Sequence, residues 1–421
     1  MLTKSLVTSS AKGGSMQRFR GIAALIVGAA SLNCVTPARA EIRYAITDLG
    51  TLGGTFSEAT GINNDGDIVG ISDSSSRNYI FKYSGGTMLN IAPSTGTTAA
   101  INNADTVVGT GSNFQGGSIA SFYTLGGGEG VIFPLQGGAS NAATSINDAG
   151  AIVGWSDTDG TGSANRHAFY FGKSGLVDLG TLGGKTSIAN DVNNFGFVVG
   201  QSQTAEGAYH AVAYNVDYGL KFDLGTLGGG ISTASALTDS NFAAGVSYLT
   251  NNAGYHAFLY AAGLMADLGA LGVTGDSAAN DLNDSQVVGY STAGNDYHAF
   301  VSNYQVYNSQ GLLDRVIGPM VDLNTLIDPS LGWNLRTANG INENGQIIGG
   351  GFIGDDYHAF LLNPIVVSPS DVPESSTWAM FILGFGLTGY SIRNNKRKVL
   401  FSSYNPKGRK MRSDGAGGIL H

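Results

Sequence analysis

The chain has 421 residues, of which 64 are Gly and only 13% are charged, roughly half the usual charged share of a soluble domain. Hydrophobic residues reach 42%, enough to bury a core and to exclude a disordered protein, while the aperiodic Gly and only 9 Pro exclude collagen. The net charge of −9 averages three unlike pieces: +5 over 1–40, −20 over 41–371 and +6 over 372–421.

Residues 1–40 read as a secretory signal peptide. Arg18 and Arg20 form a positive start, Gly21 to Leu32 is an apolar run, and Ala38-Arg39-Ala40 supplies the small-x-small cleavage pattern at Ala38 and Ala40. The run is short for a ~30 Å bilayer core, which argues against a permanent anchor. Met16 stands where such a signal would begin. The only Cys, Cys34, lies inside this segment, so the processed chain carries no disulfide or thiolate chemistry.

The stretch 41–371 is one unit written seven times. Its sharpest string is Ile-Asn-x-x-Gly-x-Val-Val-Gly, with Asn63, Asn102, Asn147, Asn193, Asn283 and Asn342 at the second position and Thr238 in a degenerate copy. The closing glycines, from Gly70 to Gly349, follow one another at intervals of 39 to 60 residues. Each unit reads as four short strands: the first ends at Ile-Asn, and a tight turn such as Asn64-Asp65-Gly66 leads into the second. The third is His-Ala-Phe, at His167, His210 (with Val212 in place of Phe), His256, His298 and His358. The fourth is Asp-Leu-Gly, at Asp48, Asp178, Asp223 and Asp267. In the first two copies Tyr79-Ile80-Phe81 and Ser121-Phe122-Tyr123 stand at the third strand.

Four strands per 40 to 50 residues is the arithmetic of a propeller blade. The stretch opens on a fourth strand, Tyr44 to Leu49, and finishes on a third, His358 to Leu362. Bringing them together predicts an all-β, seven-bladed β-propeller closed by an N-terminal strand, with no exposed sheet edge left over. A β-solenoid is the alternative, but it would need caps at both ends. These strings resemble the HAF-repeat family of bacterial extracellular proteins over most of 41–363, which implies a location and a repeat architecture more than a reaction.

The repeated polar residues favour structure over chemistry. Identical His in successive blades are spread apart, whereas a metal site needs two or more to converge, so we expect each to be half-buried and bonded to a neighbouring blade. The repeated Asp read as turn caps, and Asn63-Asn64-Asp65-Gly66-Asp67 lacks the Glu that completes a calcium loop. Gly-Thr-Leu-Gly-Gly lacks the Lys-Ser/Thr ending of a phosphate cradle. No catalytic, cofactor or metal residue is nominated, although a −20 body is compatible with weak calcium binding; nucleic acid is disfavoured.

The tail, 372–398, runs Val372-Pro373-Glu374, then an apolar stretch from Trp378 to Tyr390, then Arg393, Lys396, Arg397 and Lys398; 399–421 reads as a disordered tail. It resembles the PEP-CTERM sorting signal of Gram-negative bacteria, with Ser375 in place of the second Pro. The resemblance implies an exosortase-type processing enzyme, acting after signal peptidase, and transient anchoring in the membrane through the apolar helix. The expectation is a non-enzymatic, exported surface or matrix protein that binds exopolysaccharide or other surface proteins. The alternative is a carbohydrate-active enzyme or lectin using the propeller channel or face.

Overall fold

A computed structural model describes residues 41–367 apart from 75–76, 95–98, 113–116, 125–126, 160–164, 273 and 310–311. The leader with Ala38 and Ala40, and the sorting motif from Val372 to Lys398, lie outside the described residues. Among the described residues no helix is long and apolar enough to cross a membrane.

The fold is all-β, as the repeat arithmetic predicts. After β1 (Glu41–Asp48), the first group is β2 (Ser57–Ile62), β3 (Ile68–Ser74), β4 (Arg77–Ser84) and β5 (Thr87–Pro93). The second is β6 (Ala99–Ile101), β7 (Val107–Ser112), β8 (Ser118–Tyr123) and β9 (Glu129–Ile132). The third is β10 (Asn141–Ile146), β11 (Ile152–Asp157), β12 (Arg166–Gly172) and β13 (Gly175–Gly180). Next come β14 (Gly183–Val192), β15 (Phe197–Thr204), β16 (Tyr209–Asn215) and β17 (Leu220–Gly225), followed by β18 (Gly228–Leu237), β19 (Ala243–Leu249), β20 (Tyr255–Ala261) and β21 (Leu264–Asp267). The last strands are β22 (Ser277–Leu282), β23 (Gln286–Ala293), β24 (Asp296–Ser309) and β25 (Leu312–Asp322), then β26 (Trp333–Ile341), β27 (Ile347–Ile353) and β28 (Asp356–Val367).

Each group is an antiparallel meander, and a single parallel bridge, Tyr209 to Ile231, merges the fourth and fifth into one eight-stranded sheet. The final group has only three strands of its own. Its fourth is β1, which pairs with β28 from Glu41–Val367 to Asp48–Phe360.

Two motifs far apart in every repeat but the second explain one another. The first strand carries a bulge, as at Ala279/Asp281, and the carbonyl just before it presses on the closing glycine of the second. A Cβ on Gly154, Gly200 or Gly289 would sit 1.9–2.0 Å from that oxygen. The Phe of His-Ala-Phe is the register partner of the same glycine, for example Gly154 with Phe169. Phe81, Phe169, Phe258, Phe300 and Phe360 are all fully buried, so the glycine makes room for both the bulge and the ring.

The register corrects one expectation. Gly109 pairs with Ser121 and Thr110 with Ala120, so Ile119-Ala120-Ser121, not Ser121-Phe122-Tyr123, occupies the His-Ala-Phe position of the second repeat. The aromatic pair that follows mimics the string two residues late.

Candidate functional site

The six repeated asparagines form one connected system. Each side-chain oxygen accepts from the backbone of its own turn, as Asn342 Oδ1 does from Asn344 N at 3.1 Å and Gln346 N at 3.0 Å. Each amide donates to the carbonyl of the equivalent residue in the next repeat. Asn63 donates to Asn102 (3.3 Å), Asn102 to Asn147 (2.9 Å), Asn147 to Asn193 (2.8 Å) and Asn193 to Thr238 (3.1 Å). Asn283 donates to Asn342 (2.9 Å), and Asn342 donates to Asn63 at 3.0 Å. An amide carries its acceptor and its donors on two separate atoms, so one side chain can hold its own turn and reach the next repeat, which is why Asn suits this place.

The degenerate copy shows what happens without it. Thr238 Oγ1 keeps the turn-forming role by accepting from Phe242 N at 3.2 Å, but a hydroxyl has no amide to extend to Asn283. The carbonyl of Asn283 is taken instead by the buried hydroxyl of Tyr304, at 2.6 Å. Tyr304→Phe should therefore lower stability by about 1–3 kcal/mol in urea unfolding, the cost of leaving a buried acceptor unpaired. Thr238→Asn should restore most of the loss by rebuilding the missing link. Wild-type stability in Tyr304→Phe would show that the hydroxyl is not needed.

A second set of bonds repeats the pattern one layer away. The bulge residue of the first strand donates to an alanine carbonyl of the next repeat: Thr60 to Ala99 (2.7 Å), Thr144 to Ala189 (2.8 Å), Asn190 to Ala234 (2.7 Å) and Asn280 to Ala338 (3.0 Å). Asn339 donates to Ala59 at 3.0 Å, again joining the last repeat to the first. Sequence reading missed these residues because either Thr or Asn serves.

Five of the asparagines and the residues after them, with Thr238, Asp239 and Leu282, line a polar cavity of roughly 270 Å³ to which every repeat contributes. Its rim carries Asp148, Asp239 and Glu343 beside Asn64, Asn103 and Asn194. Burial, with Asp284 and Asp239 nearby, raises the Glu343 carboxyl above the ordinary range. Asp191, which lines the cavity, and Asp281 occupy the position before the Val-Asn or Leu-Asn pair that Gly, Ala or Ser fills elsewhere. Asp191 Oδ2 accepts from Leu237 N and Asp281 Oδ2 from Ile341 N, both at 2.8 Å and both in the following repeat. Burial raises both carboxyls; for Asp281, burial and the charges of Asp191 and Glu343 outweigh its backbone donors and push it up to about 8. Among the described residues no three His, Cys, Asp or Glu are grouped to hold a metal.

The five histidines each lie against an Asp, but not in a neighbouring blade as expected. His167, His210, His256 and His298 place Nδ1 2.6–2.9 Å from Asp178, Asp223, Asp267 and Asp322 on the adjacent strand of the same group. His358 lies 3.0 Å from Asp48 of β1. His256 alone also reaches across, its Nε2 3.1 Å from the carbonyl of Gly275. The Asp does cap its turn, as Asp178 does with Gly180 N at 2.7 Å. Although burial pushes the Asp178 carboxyl up, His167 and this N–H hold it below the usual range. Asp322 belongs to Asp322-Leu323-Asn324, which escaped notice because Asn replaces the final Gly.

From the His-Ala-Phe string, the bond that recurs between repeats is made by the Ala. Its buried N–H donates to a Ser at the start of the next first strand, as Ala168 does to Ser187, Ala211 to Ser232 and Ala257 to Ser277, all at 2.8 Å. Ala359 donates to Ser57 at the same distance, from the last repeat to the first.

No known family profile matches the chain, and no curated protein matches it. Among solved structures it is similar to TolB from Acinetobacter baumannii, at 14% identity and a TM-score of 0.42, covering 63% of this chain and 66% of TolB. The β-propeller domain of the Trilobed protease from Pyrococcus furiosus aligns at 8% identity and a TM-score of 0.45, over 75% of this chain and 100% of the domain. Virginiamycin B lyase from Staphylococcus aureus aligns at 11% and 0.41, over 77% and 100%. None of these likenesses bears on the activity of this chain.

Proposed function

We propose that 41–371 is a seven-bladed β-propeller closed by β1 that acts as an exported, non-enzymatic binding scaffold at the cell surface or in the extracellular matrix. The observation that carries the reading is where the repeated polar groups are spent. The Asn amides, the bulge Thr and Asn, and the Ser hydroxyls join one repeat to the next, and the His–Asp pairs tie outer strands together. The repeated strings are thus committed to building a rigid body, which leaves recognition to residues outside them. The last repeat bonds to the first as each repeat bonds to its successor, which supports closure.

Export and anchoring rest on the leader ending at Ala40 and on the tail from Val372 to Lys398. Signal peptidase and an exosortase-type enzyme are the processing partners in this reading; exopolysaccharide or another surface protein is the ligand. Deleting 373–398 should move the protein from the cell fraction to the medium with its melting temperature unchanged. Continued cell association after that deletion would exclude the sorting role.

A further inference from the structure

The turns that carry the asparagines join first to second strands. The opposite end, where second strands turn into third, carries a different set of side chains, and these do not recur in every repeat. Tyr248 and Tyr255 lie with ring centroids 5.7 Å apart, and Tyr290 and Tyr297 meet edge to face at 5.4 Å. Phe352 and Tyr357 do the same at 5.1 Å, and Phe56 of the first repeat stacks on Tyr357 at 5.5 Å. Tyr255 also lies beside Tyr290 and Tyr297, which brings the fifth repeat against the sixth. An ion pair from Asp296 to Arg336 connects the sixth to the last, and the Arg336 guanidinium lies 5.8 Å over the Phe352 ring. The arc therefore runs without a break through the fifth, sixth, seventh and first repeats. Tyr297 is 42% exposed and Phe352 39%.

We propose that this arc is a binding site for a neutral polysaccharide chain. Aromatic rings that pair an apolar face with a polar hydroxyl suit a ligand whose own rings have C–H faces and hydroxyl edges. The Asp276 carboxylate, which accepts from Tyr255 N at 3.0 Å, and the Asp296 carboxylate, paired with Arg336, border the rings with polar groups. Other occupants fit less well. Arg336 is already neutralised by Asp296, and the surrounding body carries −20, which repels acidic glycans and phosphates. An extended peptide binds by adding to a free strand edge, and the strands bearing Tyr248, Tyr255, Tyr290, Tyr297, Phe352 and Tyr357 are paired on both sides. The proposal rests on the reading of the protein as an exported binding scaffold, and it adds the site and the ligand class.

The test is affinity electrophoresis of the full-length protein through gels containing a neutral glucan, a neutral mannan or a uronic-acid polymer. At least one neutral polymer should retard the protein, and high salt should not abolish the retardation. The double variant Tyr297→Ala/Phe352→Ala should bind about tenfold more weakly, the scale set by truncating central aromatic contacts. Phe195→Ala, whose exposed ring lies on an Asn turn at the other end, should bind as wild type. If the double variant melts early, Tyr297→Ala alone is read the same way. Retardation by the acidic polymer only, by no polymer, or undiminished in the variants would overturn the proposal. Cell fractionation of the same strains reports separately on export, so loss of surface location would count against the scaffold reading and not against the arc.

Discussion

A chain that begins at Leu49, lacking β1, should lose its cooperative thermal transition and become sensitive to protease at room temperature. β1 supplies the fourth strand of the last group, and without it β28 offers an unpaired edge. Tyr44, 5% exposed, leaves the cluster it forms with Leu335, Phe360 and Leu362, and its N–H no longer donates to Leu326. His358 loses Asp48. Truncating one large core side chain to Ala already costs about 3–5 kcal/mol. Losing a whole strand should remove most of the ~5–15 kcal/mol that holds a domain together. A peptide of residues 41–50 added in trans should restore part of the transition. A wild-type melting curve for the shortened chain would mean that β1 is dispensable.

The second large effect is expected at a glycine. Gly289→Ala should lower stability by about 3–5 kcal/mol, because its Cβ would lie 2.0 Å from the Ala278 carbonyl and neither backbone can retreat from the paired ladder. Gly230→Ala is the control. Gly230 is exposed, and its new methyl would meet only the Asn252 side chain, at 3.9 Å. Denaturant unfolding that gave equal values for the two variants would show that the bulge does not press on the closing glycine.

The all-β class, the four strands per repeat and the complementary ends were legible because each leaves a periodic trace. Gly66 illustrates the turn: its φ is 84°, and Asn241, at the matching place of the degenerate copy, also takes a positive φ of 61°. What escaped reading lacks a fixed residue type or breaks the period. The bulge position is Thr in two repeats and Asn in three, so no single letter marks it. In the second repeat, Phe122-Tyr123 supplied a better aromatic string than the true position, and only pairing with β7 resolves the register. Tyr304 compensates for Thr238 from 66 positions downstream, a relation that only the fold reveals. Asp191 and Asp281 could have been found, since each is an acid where the other copies carry a small residue. The aromatic arc could not, because Tyr248 and Phe352, three places after the closing glycine, stand where Asp73, Ser112, Asp157, Gln203 and Thr292 stand in the other repeats, and Tyr290 comes from a different position again.

The N-terminal strand completes the last repeat by pairing with β28, and a cross-link between the two strands reports on that pairing. Tyr44 N–H points away from β28 to Leu326, and its partner Pro364 has no N–H. Tyr44–Pro364 is therefore a non-hydrogen-bonded pair, and alternation makes Ile42–Val366 another, with Cα atoms about 4.5 Å apart. That separation permits a disulfide. In a Cys34→Ser background, Ile42→Cys/Val366→Cys should oxidise to an intramolecular disulfide that shifts gel mobility and raises the melting temperature. Free thiols that persist in the folded protein under oxidising conditions would contradict the closure.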